Sequence, residues 1–280
     1  MMSSKYKFWY LLIILNLVVV KVSNAWVIIA DFESGTVGAQ AQSSVDAFHT
    51  SSGDSKYVDS PVYQGSQSAS VTAIIGQTGF GKWGGGFVFP SHLKEGDELW
   101  YRVMAYFPTG WSFSCGGCTE GVKFMRIHTA SSNGSNEGYI GTLISPYDPN
   151  KLKIGTEVNP SHFDWPDPLG PVIERNRWHA FEIYIKFSSD KSHPNGIYRA
   201  WVDGKMVYEN TSYPSLVSDS SYSDLAYLFT YWNNGAPKTQ TAFVDEIILT
   251  NETPSRRDSN GNPYIGFISP KPPQDPVLIE

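Results

Sequence analysis

The chain of 280 residues has only two cysteines, paired as Cys115-Gly116-Gly117-Cys118. That excludes a framework of several disulfides. Zinc would need further ligands, and there is no second cysteine pair to supply them. A thioredoxin-type motif should open a helix in a βαβ unit. Here the motif follows Trp111-Ser112-Phe113 and precedes a strand-like segment, so Cys115 and Cys118 read as a small disulfide on a loop at a groove rim. Positive charge is also scarce: 21 Lys and Arg stand against 27 Asp and Glu, for a formal charge of −6. A general binder of nucleic acid or of an anionic membrane is therefore not expected. There is no internal repeat, no long low-complexity segment and no convincing amphipathic helix.

One apolar run exists, Phe8 to Val20, interrupted by Asn16. It is shorter than the roughly 20 residues a spanning helix needs. Lys5 and Lys7 precede it and Ser23-Asn24-Ala25 follows. Residues 1–25 thus read as a secretory signal, with a mature start at Trp26. The other reading is an uncleaved membrane anchor. Cleavage removes Lys5, Lys7 and Lys21 and no acid, taking the charge from −6 to −9. A secreted chain, extracellular or periplasmic, with no membrane partner and a monomeric state is expected. Such a chain repels a polyanion at long range, so a polyanionic ligand would need a local basic cleft. Asn133-Gly134-Ser135, Asn210-Thr211-Ser212 and Asn251-Glu252-Thr253 are glycosylation sequons, relevant in a eukaryotic host.

What is abundant is aromatic residues at 14%, with 25 Gly and 18 Pro. This suits one large β domain over 26–268 and a C-terminal tail, 269–280, that is an extended strap or disordered. Strands are expected at 26–32, 68–75, 87–89, 98–107, 121–128, 138–144, 178–187, 196–203, 205–209, 225–232 and 240–249. Tyr198–Tyr208 reads as a hairpin turning at Asp203-Gly204. Residues 34–62 and 146–176 read as loops. Gly79–Gly86 reads as a tight turn with a packed Trp83. Short strands with Gly/Pro turns predict an all-β, antiparallel β-sandwich.

Two segments carry cations among aromatics: Glu98–Pro108 (ELWYRVMAYFP) and Gly121–His128 (GVKFMRIH). Alternation puts Trp100, Arg102, Met104 and Tyr106 on one face. It puts Phe124, Arg126 and His128 on another, with Lys123 turned away unless a bulge intervenes. Such faces suit a groove for an acidic sugar chain.

The order of segments resembles a known family. Phe32-Glu33-Ser34-Gly35 is followed by Trp83-Gly84-Gly85 and the two segments above. Then come RWHAFEIYIKFSSD, GIYRAWVDGKMVY, YLFTYWNNG and FVDEIIL. This resembles the jelly-roll polysaccharide lyases with a concanavalin A-like sandwich, especially heparin lyase I-like and alginate or glucuronan lyase-like proteins. The likeness covers most of residues 26–250 and specifies fold more than chemistry. It implies a concave sheet that binds glycan, and cleavage of a uronic-acid polymer by β-elimination.

That reaction needs a group to neutralise the C5 carboxylate, a base for the C5 proton and an acid for the leaving O4. Arg102 and Arg126 are candidates for the first role, with Lys123 and Asn233 assisting. His128 is the candidate base, and Tyr139 and Tyr231 are candidate proton donors. Trp100 and Tyr106 are candidate sugar-stacking platforms. Alginate lyases of this fold carry Gln-x-His and Tyr-x-Lys-x-Gly-x-Tyr. Here Arg126-x-His128 and Tyr227-Leu228-Phe229-Thr230-Tyr231-Trp232-Asn233 stand in those places. Plainer readings are an ion pair for Arg102, for example with Glu182, a structural His128, and packing for the tyrosines. No cofactor is required, although Glu33 and Asp245 on the first and last strands are candidates for a structural Ca²⁺. Asp258–Asn262 mimics half a calcium loop but lacks its closing Glu. A retaining glycosidase would need two close carboxylates, and Asp245-Glu246 point to opposite faces. The competing class is a non-catalytic carbohydrate-binding sandwich. A third is a surface structural protein without sugar affinity.

Overall fold

The computed structural model describes residues 25–41, 55–79, 84–157 and 168–266, and the backbone of 162–164. The expected signal segment before residue 25, Trp83 and the tail 269–280 lie outside the described residues. The described chain is built of strands: β1 (Val27–Ala30), β2 (Ser55–Val58), β3 (Ser68–Ala73), β4 (Gly85–Leu93), β5 (Glu98–Tyr106), β6 (Val122–Ala130) and β7 (Asn136–Ile144). They continue with β8 (Leu152–Glu157), β9 (His162–Asp164), β10 (Trp178–Lys186), β11 (Gly196–Val202), β12 (Lys205–Tyr213), β13 (Tyr222–Trp232) and β14 (Gln240–Thr250). Among the described residues no helix is long and apolar enough to cross a membrane.

The strands form two antiparallel sheets. One has eight strands, in the order β12-β11-β10-β5-β14-β3-β2, with β1 also paired to β14. The other has six, in the order β4-β13-β6-β7-β8-β9. One core fills the space between them, as a sandwich requires. β10 shows how the sequence dictates this: Phe181, Ile183 and Ile185 point into the core at period two, while Glu182 and Tyr184 face outward. The β11–β12 hairpin turns on Asp203 and Gly204, both at positive φ (52° and 76°). This is the combination a two-residue primed turn demands. The two stretches read as loops each hold strands: β2 lies within 34–62, and β8 and β9 within 146–176.

Three buried hydroxyl links cross the core. Tyr101 on β5 donates to the Tyr227 carbonyl (3.2 Å), and Tyr198 on β11 donates to the Gly141 carbonyl (2.9 Å). Tyr213 on β12 shares a hydrogen bond with the Thr156 hydroxyl. Each satisfies a buried hydroxyl, for about 0.5–1.5 kcal/mol net. They also pin β13, β7 and β8 from below.

The outer face of the eight-stranded sheet is covered. Residues 251–266 run over it as a strap. Trp100, Tyr184 and Trp201 pack against Tyr264 and Ile265. The Trp100 indole donates to the Pro263 carbonyl (3.0 Å) and the Trp201 indole to Asp258 (2.9 Å). The Asp258 loop is therefore the strap's anchor, its carboxylate also capping the backbone N–H groups of Asn260 and Asn262.

Candidate active site

The outer face of the six-stranded sheet carries the cluster. Its geometry starts from one irregularity in β6. Lys123 pairs with Leu143 but Met125 pairs with Thr142, so the register slips between them. Phe124 and Met125 both enter the core. One extra residue on a strand re-aims every side chain after it. As a result Lys123, Arg126 and His128 share the outer face. The expectation that Phe124 joins Arg126 and that Lys123 turns away is corrected by this bulge.

Arg126 is 4% exposed and lies flat over Tyr139, 3.6 Å from guanidinium carbon to ring centroid. Its Nη1 reaches the Thr230 hydroxyl at 3.5 Å. Its Nη2 pairs with the carboxylate of Glu157, which also holds the Lys123 ammonium. Burial lowers the Arg126 pKa to about 10, opposed by Tyr139 and Tyr227, so it stays cationic at neutral pH. Gly141 faces Arg126 across the β6–β7 ladder, and Gly155 faces Gly141 from β8. A Cβ on Gly141 would lie 2.6 Å from the Met125 carbonyl oxygen and 3.0 Å from Arg126 Cγ. Glycine there leaves the floor on which the arginine lies.

His128 Nδ1 is 2.8 Å from an Asp224 carboxylate oxygen. Its ring sits 5.6 Å from that of Tyr139, which is 6.1 Å from Tyr227. Burial pushes the Tyr227 phenol up, with Tyr139 and Asp224 adding and Arg126 opposing. Tyr227 therefore keeps its proton at neutral pH.

At the other end of the cluster, Lys123 lies 3.9 Å from Glu120 and 5.8 Å from the Tyr231 ring centroid. Asn233 donates to Glu120. A pocket of about 410 Å³ opens between Tyr231, Asn233, Asn234 and the loop of Cys118, Thr119 and Glu120. The Cys115–Cys118 disulfide closes that loop, as the sequence suggests. Lys153, outward on β8, secures it by donating to the Thr119 carbonyl (3.0 Å).

The structure thus brings together Lys123, Arg126, His128, Tyr139, Tyr231 and Asn233. It separates them from Trp100, Arg102 and Tyr106. These belong to β5, in the other sheet, so the two cationic segments do not form one groove. Arg102 is fully buried under the strap, donating to the carbonyls of Gly266 (3.0 Å) and Glu246 (3.1 Å). Trp100 is in the strap cluster, and Tyr106 packs between Trp178 and Phe243. The Glu33 carboxylate accepts backbone N–H groups of Ser66 and Gln67. That of Asp245 accepts those of Tyr63 and Gln64. Both clamp the segment before β3. Among the described residues no group of three or more His, Cys, Asp or Glu is placed to hold a metal ion.

Sequence reasoning missed Glu157, Tyr227, Asp224 and Glu120. Glu157 sits on β8, inside the Pro- and Asp-rich stretch read as loop. Tyr227 was visible as an aromatic four residues before Tyr231 on one strand. Glu120 and Asp224 carry no local signal, since only pairing across strands brings them to Asn233 and His128.

A family model described as polysaccharide lyase matches residues 32–248. No curated protein matches the sequence. Among solved structures, the chain is similar to the alginate lyase Aly36B, with TM-score 0.58 and 13% identity over 80% of this chain and 96% of that one. It is also similar to an endo-β-1,4-glucuronan lyase from the fungus Trichoderma reesei, with TM-score 0.54 and 15% identity over 79% and 94%. A third similar structure is the alginate lyase vAL-1 from Chlorella virus, with TM-score 0.51 and 12% identity over 80% and 91%. At these identities the likeness establishes the shared β-sandwich. The family match spans most of the chain, which belongs to the polysaccharide lyase family.

Proposed function

We propose that this polysaccharide lyase family member is secreted and cleaves a uronic-acid-containing glycan by β-elimination on the outer face of its six-stranded sheet. The observation that carries the reading is Arg126, stacked on Tyr139 and flanked by Lys123 and His128. A buried, planar cation beside an imidazole and a phenol meets the demands of the reaction.

Arg126, aided by Lys123, takes the uronate carboxylate, which makes the C5 proton acidic. Asp224 on Nδ1 orients the His128 ring and leaves Nε2 as the basic nitrogen. His128 removes the C5 proton. The C4–O4 bond breaks as the C4=C5 double bond forms. Tyr139, between Arg126 and His128, gives its phenolic proton to the departing O4, with Tyr227 beside it. Tyr231 and Asn233 bind the neighbouring sugar. Glu157 holds both cations until substrate arrives.

The test is ultraviolet absorbance of new unsaturated uronate ends on a panel of uronic-acid polymers. Absorbance should rise with the wild type and stay flat with His128→Ala, glycan binding being retained. If glycan binds but no unsaturated end forms on any polymer, the elimination reading is wrong and a binding module remains.

A further inference from the structure

Resting on that reading, we infer that the substrate is a mixed polymer in which a uronate is flanked by uncharged, unsulfated sugars, rather than a run of uronates. The argument is a charge balance. Among the described residues, the face carries three cations at the cluster: Lys123, Arg126 and Lys153. Three carboxylates stand among them: Glu120, Glu157 and Asp224. Lys123 and Arg126 are already bound to Glu157. Lys153 is buried on the Thr119 carbonyl. Among the described residues of the cluster there is no surplus of positive charge for a second uronate.

The placement of the acids matters as much as their number. Glu120 is beside Lys123 near the start of β6, and Asp224 is on His128 near its end. At about 3.3 Å per residue, Lys123 and His128 are roughly 13–16 Å apart, allowing for the bulge, a length of a few sugar rings. The cationic centre thus has a partly exposed carboxylate at each side (36% for Glu120, 32% for Asp224). A polyuronate puts a charge on every ring and would press carboxylates against both. The pocket at this end is lined by Glu120 and, beside it, Tyr231, Asn233, Asn234 and Thr119, with Gly117 and Cys118. That set offers one ring face and several hydroxyl partners, which suits a neutral sugar. The formal charge of −6 on the whole chain adds repulsion of a dense polyanion at long range.

The experiment compares kcat/KM of the full-length protein on three substrate sets, read by unsaturated ends. These are polymers alternating a uronate with a neutral sugar, homopolymeric uronates, and sulfated uronate polymers. Mixed polymers should be preferred by about tenfold or more, the order expected from like charges a few ångströms apart near a protein surface. Added salt should narrow the gap, because it screens the repulsion. Glu120→Gln should also narrow it, by lowering KM for the homopolymer. Equal kcat/KM on homopolymers and mixed polymers, with Glu120→Gln changing neither ratio, overturns the inference and leaves the lyase reading standing. No unsaturated ends from any polymer overturns the lyase reading, and this inference with it.

Discussion

Replacing Arg102 by Met should cost the fold dearly and the chemistry nothing. Arg102 is fully buried between β5 and the strap. It donates to the carbonyls of Gly266 and Glu246, and to the Glu246 carboxylate at 3.4 Å. Beside it, the Glu182 carboxylate accepts the N–H groups of Ile265 (2.6 Å) and Gly266 (2.9 Å). Methionine fills the volume but leaves two buried carbonyls without a donor and two carboxylates without their cation. Removing one partner of such a buried set costs about 3–5 kcal/mol. The low end is the better expectation, because Arg102 Nε is buried without an acceptor in the native fold. For a domain of this size, about 2–4 °C per kcal/mol puts the loss in Tm at about 6–20 °C. Differential scanning calorimetry measures it. Adding Glu182→Gln drops the charge but turns an amide NH2 against one of the two N–H groups that Glu182 accepts, so the double variant should recover little of the loss. Turnover measured well below Tm should equal wild type, since Arg102 lies on the far sheet. A variant with unchanged Tm and lost turnover would refute this assignment and return Arg102 to the reaction.

Further outcomes are expected on the open face and in the buried acids. Arg126→Lys keeps the charge but loses the planar stack on Tyr139 and the fork that meets a carboxylate. Its kcat should fall about 10²–10³-fold, as for loss of one preorganised charge stabiliser, and an unchanged kcat would remove Arg126 from the transition state. Gly141→Ala forces a Cβ against the Met125 carbonyl and Arg126 Cγ. It should cost about 1–3 kcal/mol by overpacking and lower kcat/KM, whereas a neutral result in both would show that Arg126 does not need its flat seat. Burial raises the Asp245 carboxyl to about 8 and the Glu182 carboxyl to about 7, both opposed by backbone N–H donors. The folded state then holds protons that the unfolded chain has released, so stability falls as pH rises from about 4 to 8. Tm should be higher at pH 5 than at pH 8.5, and Asp245→Asn should flatten the slope; a Tm that climbs over that interval would contradict these shifts.

The sandwich was legible because its signals are local. The Asp203-Gly204 turn, the alternation of 178–187 and the aromatic strands each act within ten residues. The site was legible only in part. Strict alternation misplaced Lys123 because the adjacent apolar pair Phe124-Met125 hides a bulge that only the register against β7 defines. Glu157 was lost because β8 is short and embedded in Pro- and Asp-rich sequence. Arg102 and Trp100 looked like groove residues because a strand pattern says which side chains share a face. It does not say what covers that face, and here the cover comes from residues some 160 positions later.

The strap also decides how the molecule can be mounted. Its cover lies on the eight-stranded sheet, and Trp26, whose N–H donates to the Asn251 side chain (2.7 Å), leads into β1 on that same sheet. The described chain therefore begins and ends on elements of the eight-stranded sheet. A tether, bead or fused module joined at residue 25 or residue 266 would hold the protein through its eight-stranded sheet. The outer face of the six-stranded sheet would then be left clear of the support at both joints.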